Sequence, residues 1–374
     1  MRSLPYLCFG LLASLLPTVV SAQVPQAQHV VVVLEENTAY SSVMGSAQMP
    51  YLNSLAKDFG YATQYYANTH PSIGNYMMLT TGQILTNNDG YTGTITADNL
   101  VRHFASTGKT WKSYAEGLPY TGYTGNDTGL YIKHHDPFVY FSDVLNSTAQ
   151  KQNVVPFTQF ASDVKNNTLP NYSFIVPNVC NDAHNCSLGT ADTWLQNNIG
   201  PLLSNPTFQK TGIVLFVFDE SVTADTAHGG GHIAMVAVGH SLKRGYASPN
   251  FYQHQNLLAT VCSAVVLYGC PGAASTAATM SDLFTITDLP FVDVSKITVS
   301  YPTGGPQITI ATDSNDALYA VTGMVAYLDG VQVAQSSSGI LNATFAAKTG
   351  QHTLLVRAWN AKGSFASASR SFTV

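Results

Sequence analysis

Residues 29–37 read HVVVVLEEN: one histidine, five branched aliphatic side chains, then two carboxylates and an amide. A run so short, apolar on both faces and rich in β-branched residues predicts a strand covered on both sides, as parallel sheets are. The same grammar recurs at residues 110–114 (TWKSY), 172–176 (YSFIV), 212–218 (GIVLFVF) and 233–238 (IAMVAV). Between these runs lie stretches with helical patterning, such as residues 50–59 and 251–267. The alternation predicts an α/β fold over residues 26–285, a mostly parallel sheet flanked by helices.

After Asp293 apolar residues recur with period two, broken by Gly, Asn and Asp turns: residues 307–311, 325–333 around Asp329-Gly330, and 352–359. This pattern predicts a small antiparallel β-sandwich over residues 292–374, with its own core around Trp359. Its stretch GQHTLLVRAWNAKGS resembles the late strands of immunoglobulin-like modules appended to bacterial secreted enzymes.

Composition narrows the function. Of 374 residues only 10% are charged, and Lys+Arg 16 against Asp+Glu 21 leave a net charge of -5. Nothing in that balance draws in a polyanion through bulk electrostatics, so nucleic acid is not an expected partner. Residues 1–22 read as a secretory signal: Arg2, an apolar stretch over residues 7–16, and Val20-Ser21-Ala22 before Gln23. Beyond it no apolar run is long enough to span a bilayer, and the chain is expected outside the cell or in the periplasm. The mature chain then keeps Cys180, Cys186, Cys262 and Cys270, an even number for an oxidising compartment. Local pairing, 180 with 186 and 262 with 270, is the simplest of three connectivities that the sequence leaves open.

Ligands in open α/β sheets bind beyond the carboxyl ends of the strands, so the residues after each run matter most. There the sequence places Glu35-Glu36-Asn37, Glu116, Asn178 with Asp182 and His184, and Asp219-Glu220-Ser221. In a chain so poor in charge, this convergence predicts a divalent metal site of hard oxygen ligands, Glu36, Asn37, Asp219 and Glu220. A single one of these residues reads equally well as a helix cap or a solvated loop. The nucleophile expected beside such a metal lies in YYANTHPSIGNYMMLTTG, where Pro71 opens a helix and Ser72 falls in its first turn. Free N–H groups and the positive end of the helix dipole favour an alkoxide there, although a plain capping serine fits the same segment.

Seven segments, EEN (35–37), THPSIGNYMMLTTG (69–82), GKTWKSYAEGLP (108–119), KHHDPF (133–138), NDAHNC (181–186), FDES (218–221) and HGGGHIAMVAVG (228–239), resemble the phosphoesterase family. That family comprises acid phosphatases and bacterial phospholipases C within the alkaline phosphatase superfamily. The resemblance runs over about residues 28–270 and implies an alkaline-phosphatase-like fold for that part. It implies Glu36, Asn37, Asp219 and Glu220 as ligands of a divalent metal ion and Ser72 as nucleophile, with Thr69 as the second candidate. It also implies that His70, His135, His184 and His232 line the phosphate pocket or protonate the leaving group, helped by Glu116 and Asp182 on the substrate side.

The implied activity is a secreted, metal-dependent phosphoric ester hydrolase that passes through a phosphoserine. The implied substrate is a small phosphate ester or a phospholipid head group, and phosphomonoesterase and phospholipase C activities both fit. A non-catalytic extracellular binding protein, with the sandwich as its working part, is the alternative from another class. Sulfatase chemistry is disfavoured, because Ser72 lacks the Pro at +2 and Arg at +4 that formylglycine formation needs.

Overall fold

The run that opens the analysis forms β1 (His29–Glu35), buried along almost its whole length in the middle of an eight-stranded sheet. In the computed structural model, residues 24–239, 241–267, 269–285, 291–315, 320–361 and 365–374 are described; the expected signal at 1–22 lies outside them. The other strands of this sheet are β2 (Gly60–Tyr65), β3 (Trp111–Ala115), β4 (Val154–Pro156), β5 (Tyr172–Val176), β6 (Gly212–Phe218), β7 (Met235–Gly239) and β8 (Tyr246–Tyr252). Their order is β4-β3-β5-β1-β6-β7-β2-β8. Parallel pairing places Val32 of β1 beside Phe174 of β5 and Leu215 of β6, so the aliphatic runs form one continuous layer.

β7 runs against both neighbours, pairing Val217 with Met235 and Gly60 with Ala237. A parallel return from β6 needs a crossover, usually helical, and no helix lies between Phe218 and Met235. The chain therefore turns back alongside β6. The expected parallel α/β sheet holds in this mixed form, with helices that include Pro50–Asp58, Ser72–Thr81, Leu100–Thr107, Thr158–Asn166, Leu188–Asn198 and His254–Val265.

The expected helix at 251–267 is shorter. Residues 251–252 finish β8, and a capping box between Gln253 and Asn256 starts the helix at His254. Every residue of the helix Ser72–Thr81 is buried, and that helix packs on His254–Val265. The Tyr- and Thr-rich stretch up to Asn68 reads as extended and contains β2, whereas β4 and β8 are not evident in the sequence: β4 is three residues long, and β8 (YASPNFY) holds no continuous apolar run and carries Pro249, as an edge strand can.

The C-terminal part is a seven-stranded, immunoglobulin-like sandwich, as expected. Its strands are β9 (Phe291–Ser300), β10 (Gln307–Asn315), β11 (Val321–Leu328), β12 (Val331–Ser336), β13 (Ile340–Ala346), β14 (Gln351–Asn360) and β15 (Phe365–Thr373). They form antiparallel sheets β13-β10-β9 and β12-β11-β14-β15. Asp329 and Gly330, both at positive φ (50° and 83°), make the two-residue turn between β11 and β12. The core includes Ile308, Ile310, Met324, Ala326, Leu341, Leu354, Val356 and Ala358. Trp359 is not at its centre: on β14 the even-numbered residues point inward, and the odd-numbered Trp359 lies on the opposite face, half-buried.

Candidate active site

Glu36 and Asn37 follow the carboxyl end of β1, and Asp219 and Glu220 follow the parallel β6 beside it. Asn37 adopts a left-handed φ of 50°, tolerable for asparagine, which turns the chain sharply out of the sheet. Asp219 Oδ1 accepts hydrogen bonds from the backbone N–H groups of Asn37 (3.1 Å) and Glu220 (2.6 Å), so this carboxylate ties the two strand ends together. The helix Ser72–Thr81 brings a third element. Ser72, Asn75 and Tyr76, spaced i, i+3 and i+4, share one face of it. Ser72 Oγ donates to Glu36 Oε2 at 3.1 Å, where Asn37 Nδ2 also donates at 3.0 Å, and Tyr76 Oη donates to Glu36 Oε1 at 2.5 Å. Asn75 Nδ2 donates to Glu220 Oε2 (3.2 Å) and to the Thr69 carbonyl (2.8 Å).

The turn after β5 closes the cluster. Asp182 accepts the Glu36 N–H on its carbonyl at 2.8 Å. His135, buried and stacked on the Tyr76 ring with 5.2 Å between centroids, lies between two carboxylates: its Nε2 is 3.4 Å from Glu36 Oε1 and its Nδ1 is 3.6 Å from Asp182 Oδ2. Cys180–Cys186 is a disulfide across this turn and Cys262–Cys270 a second local one, which resolves the connectivity left open by the sequence.

The remaining expected residues are placed less uniformly. His70 joins the cluster, with Nδ1 3.2 Å from Glu220 Oε2 while Nε2 donates to the Asp225 carbonyl at 2.9 Å. His184 is exposed at its edge, its ring 6.0 Å from that of His135. His232 is held apart: its ring is stacked between Tyr40 (4.2 Å) and Tyr66 (4.7 Å), and Nε2 donates to the Thr63 carbonyl. Glu116 turns its carboxylate to the loop after β5, where Asn178, Asn181 and Trp194 donate to it. The Thr69 hydroxyl donates to the His70 carbonyl and accepts from Asn87 Nδ2, so it is engaged outside the carboxylates.

Sequence reading missed Asn75 and Tyr76, although their helical spacing from Ser72 was a usable signal. It also missed His254, whose Nε2 donates to the Asp219 carbonyl at 2.6 Å, and for that contact no local signal exists. The glycine run at 229–231 serves close approach: a Cβ on Gly230 would stand 2.3 Å from the Thr69 carbonyl oxygen, and one on Gly231 would stand 2.4 Å from Ser221 Cβ.

Residues 46–265, more than half of the chain, match the phosphoesterase family. The chain belongs to that family. The matched stretch carries Ser72, His135, Asp182 and Asp219-Glu220, with Glu36-Asn37 just ahead of it. Among curated relatives the chain is 32% identical to a phosphatidylinositol-3-phosphatase from Mycobacterium tuberculosis, over 74% of this chain and 86% of that protein. It is 31% identical to a phosphate-repressible acid phosphatase from Penicillium chrysogenum, over 56% of this chain and 53% of that protein. The match spans only about half the length of the acid phosphatases among these relatives. Among solved structures, a member of the alkaline phosphatase superfamily from Vibrio parahaemolyticus superposes with a TM-score of 0.49 and 11% identity, covering 78% of this chain and 77% of that one.

The cluster crowds four carboxyl groups together, those of Glu36, Asp182, Asp219 and Glu220. Lys112 and Arg102 pair with Asp163 and Asp143, away from the cluster, and among the described residues no lysine or arginine pairs with Glu36, Asp182, Asp219 or Glu220. Burial, then the charges of Asp219 and Asp182, hold the Glu36 carboxyl well above the usual range. Burial likewise pushes Asp219 up to about 6, Asp182 to about 7 and Glu220 to about 9. Burial, then His184, pushes His135 down to about 3, so its imidazole is neutral. Asp219 Oδ2, Asp182 Oδ2 and His135 Nε2 are buried without a hydrogen-bond partner. Carboxylate oxygens and a neutral imidazole, orphaned and convergent, are the donors a divalent cation takes. Glu36, His135 and Asp182 each offer one ligand atom within 4.8 Å of the others.

A pH dependence follows for protein kept in chelator. The raised carboxyls of Asp182 and Glu220 retain protons that the unfolded chain, titrating near 4, has released, so stability falls as pH rises toward their folded values. The buried neutral imidazoles of His135 and His254 act in the opposite sense, but only below about 6.5, where unfolded histidine titrates. Above about pH 6.5 the carboxyls act alone, Asp182 only as far as about 7 and Glu220 as far as about 9, each at up to about 1.4 kcal/mol per pH unit. The melting temperature of the chelated protein is expected to fall by several degrees across that window, and a divalent ion is expected to raise it most at the upper end. A flat or rising profile in chelator overturns this.

Proposed function

We propose that the chain is a secreted, metal-dependent phosphoric ester hydrolase of the acid phosphatase type, acting through a phosphoserine on Ser72. One observation carries this reading: Ser72 Oγ, at the first residue of a buried helix, lies 3.1 Å from a carboxylate in a cluster of four that no lysine or arginine among the described residues pairs with. Glu36, Asn37, Asp219 and Glu220 would hold the cation, which would supply a lowered pKa for the serine hydroxyl and a counter-charge for the phosphoryl oxygens. Ser72 Oγ passes its proton to the Glu36 side and bonds to phosphorus as the ester P–O bond breaks. The positive end of the helix dipole favours the phosphoryl oxygens, while the Ile73 N–H is held by Asp89 and the Gly74 N–H by the Pro71 carbonyl. His70 and His135 are the imidazoles closest to the carboxylates, and the leaving oxygen takes its proton from that side. Water then attacks phosphorus and frees Ser72.

The acid phosphatase relatives support a phosphomonoester substrate, and the name of the mycobacterial relative extends this to monoester-bearing lipid head groups. Two disulfides support an oxidising compartment. The deciding experiment measures turnover of p-nitrophenyl phosphate and of p-nitrophenylphosphorylcholine, each with and without chelator. Chelator-sensitive hydrolysis of the first is expected; hydrolysis of the second alone assigns a phospholipase C, and hydrolysis of neither refutes the enzyme reading.

The site draws on residues before 260, and the backbone is tied to this core as far as Thr285, which donates to the Ser241 carbonyl. A catalytic domain of residues 26–285 followed by the separate core of 292–374 is therefore part of the proposal. A chain ending near residue 288 is expected to fold and to hydrolyse p-nitrophenyl phosphate within about twofold of the full chain. A folded but inactive truncation, as judged by its melting transition, assigns the sandwich a share in the site.

A further inference from the structure

Glu116 is the first residue after β3, and its N–H donates to the Val176 carbonyl at the end of β5 (2.8 Å). Its side chain points to the turn that follows β5. Oε2 accepts from the Asn178 N–H (3.0 Å) and from Asn181 Nδ2 (2.9 Å), while Oε1 accepts from Asn181 Nδ2 (3.0 Å) and Trp194 Nε1 (3.2 Å). Three donors, one of them shared between both oxygens, thus engage both oxygens of this carboxylate from the turn side. A phosphate oxygen would be repelled by it.

The contacts do not end at Asn178. Its Oδ1 accepts from the N–H groups of Cys180 (2.9 Å) and Asn181 (3.2 Å), and its carbonyl accepts from Asp182 N–H (3.0 Å). Asp182 then holds the Glu36 backbone on its own carbonyl, the His184 N–H on Oδ1, and the neighbourhood of His135 with Oδ2. We propose that Glu116 is a positioning residue, which fixes the Asn178–Asp182 turn and through it the placement of Asp182, His135 and Glu36, and that it does not touch substrate. The proposal rests on the phosphoesterase function above.

Glu116→Gln tests it, because the amide keeps the shape but presents donors where acceptors are needed. Partners that orient ligating groups typically contribute about 10–100-fold, so kcat for p-nitrophenyl phosphate is expected to fall by that factor with KM within about twofold. A rise in KM at unchanged kcat marks a substrate contact and overturns the proposal. A relay predicts non-additivity with Asp182→Asn: the double variant stays within about threefold of Asp182→Asn alone, whereas multiplying effects overturn it. Trp194→Phe removes one donor and is expected to give a smaller kcat loss of the same kind, which serves if Glu116→Gln does not fold. Hydrogen exchange supplies an arm independent of turnover. The amides of Asn178, Cys180 and Asp182 are expected to exchange about 10-fold faster in Glu116→Gln, or in Trp194→Phe where that variant stands in, and unchanged exchange overturns the relay even if the wild type hydrolyses neither ester and the functional reading falls by itself.

Discussion

Ser72→Ala is expected to lower kcat for p-nitrophenyl phosphate by roughly 10^4 to 10^6-fold, the scale seen when a covalent nucleophile is removed. The fold should tolerate it. The substitution deletes one hydrogen bond, Oγ to Glu36 Oε2, of about 1 kcal/mol, and Asn37 Nδ2 and Tyr76 Oη still satisfy that carboxylate. Metal content should be nearly unchanged, because no charged donor is lost. Acid quench with labelled substrate is expected to leave phosphate on Ser72 of the wild type. Label on Thr69, with substantial activity left in Ser72→Ala, would transfer the nucleophile role to that residue. The structure weighs against it, since the Thr69 hydroxyl is engaged by His70 and Asn87.

Asp219→Asn is expected to act on the metal instead. Oδ1 of Asp219 accepts both the Asn37 and Glu220 N–H groups, and an asparagine oxygen can keep both, so the two strand ends remain tied. What changes is the other oxygen, buried and unpartnered, which becomes an NH2 with no charge. Divalent-ion affinity is expected to fall by more than about 100-fold, beyond the usual effect of an outer partner, and activity to fall with it. Metal analysis after dialysis checks this directly. Full retention of the ion would place it on the other donor set that shares Glu36, namely His135 and Asp182.

Much of this site was legible because its chemistry sits at the ends of aliphatic strands, where a carboxylate interrupts a run of valines or phenylalanines. Glu36 and Asp219 stand out for that reason, and Ser72 stands out by its helix start. The direction of β7 was not legible, since a buried run reads alike whichever way it points. β8 was lost because YASPNFY holds no continuous apolar run. His232 could not be told from a pocket residue, because stacking between Tyr40 and Tyr66 depends on residues far apart in sequence. At Trp359 the period was right and the phase wrong; shifting by one residue exchanges the two faces of a strand.

The reversed β7 also decides how this enzyme can vary. Because Val217 pairs directly with Met235, the segment between β6 and β7 leaves and re-enters the sheet at one place. It carries Asp219 and Glu220 at its start and the glycines that press on Asn68 and Thr69 near its end, with residues 222–224 and 226–228 exposed between. Lengthening that outer stretch adds only the slow logarithmic entropy of a longer loop and re-threads no strand. Insertions there leave both anchors in register, so the mouth of the site can be reshaped, by natural drift or by grafting, while its carboxylates stay in place.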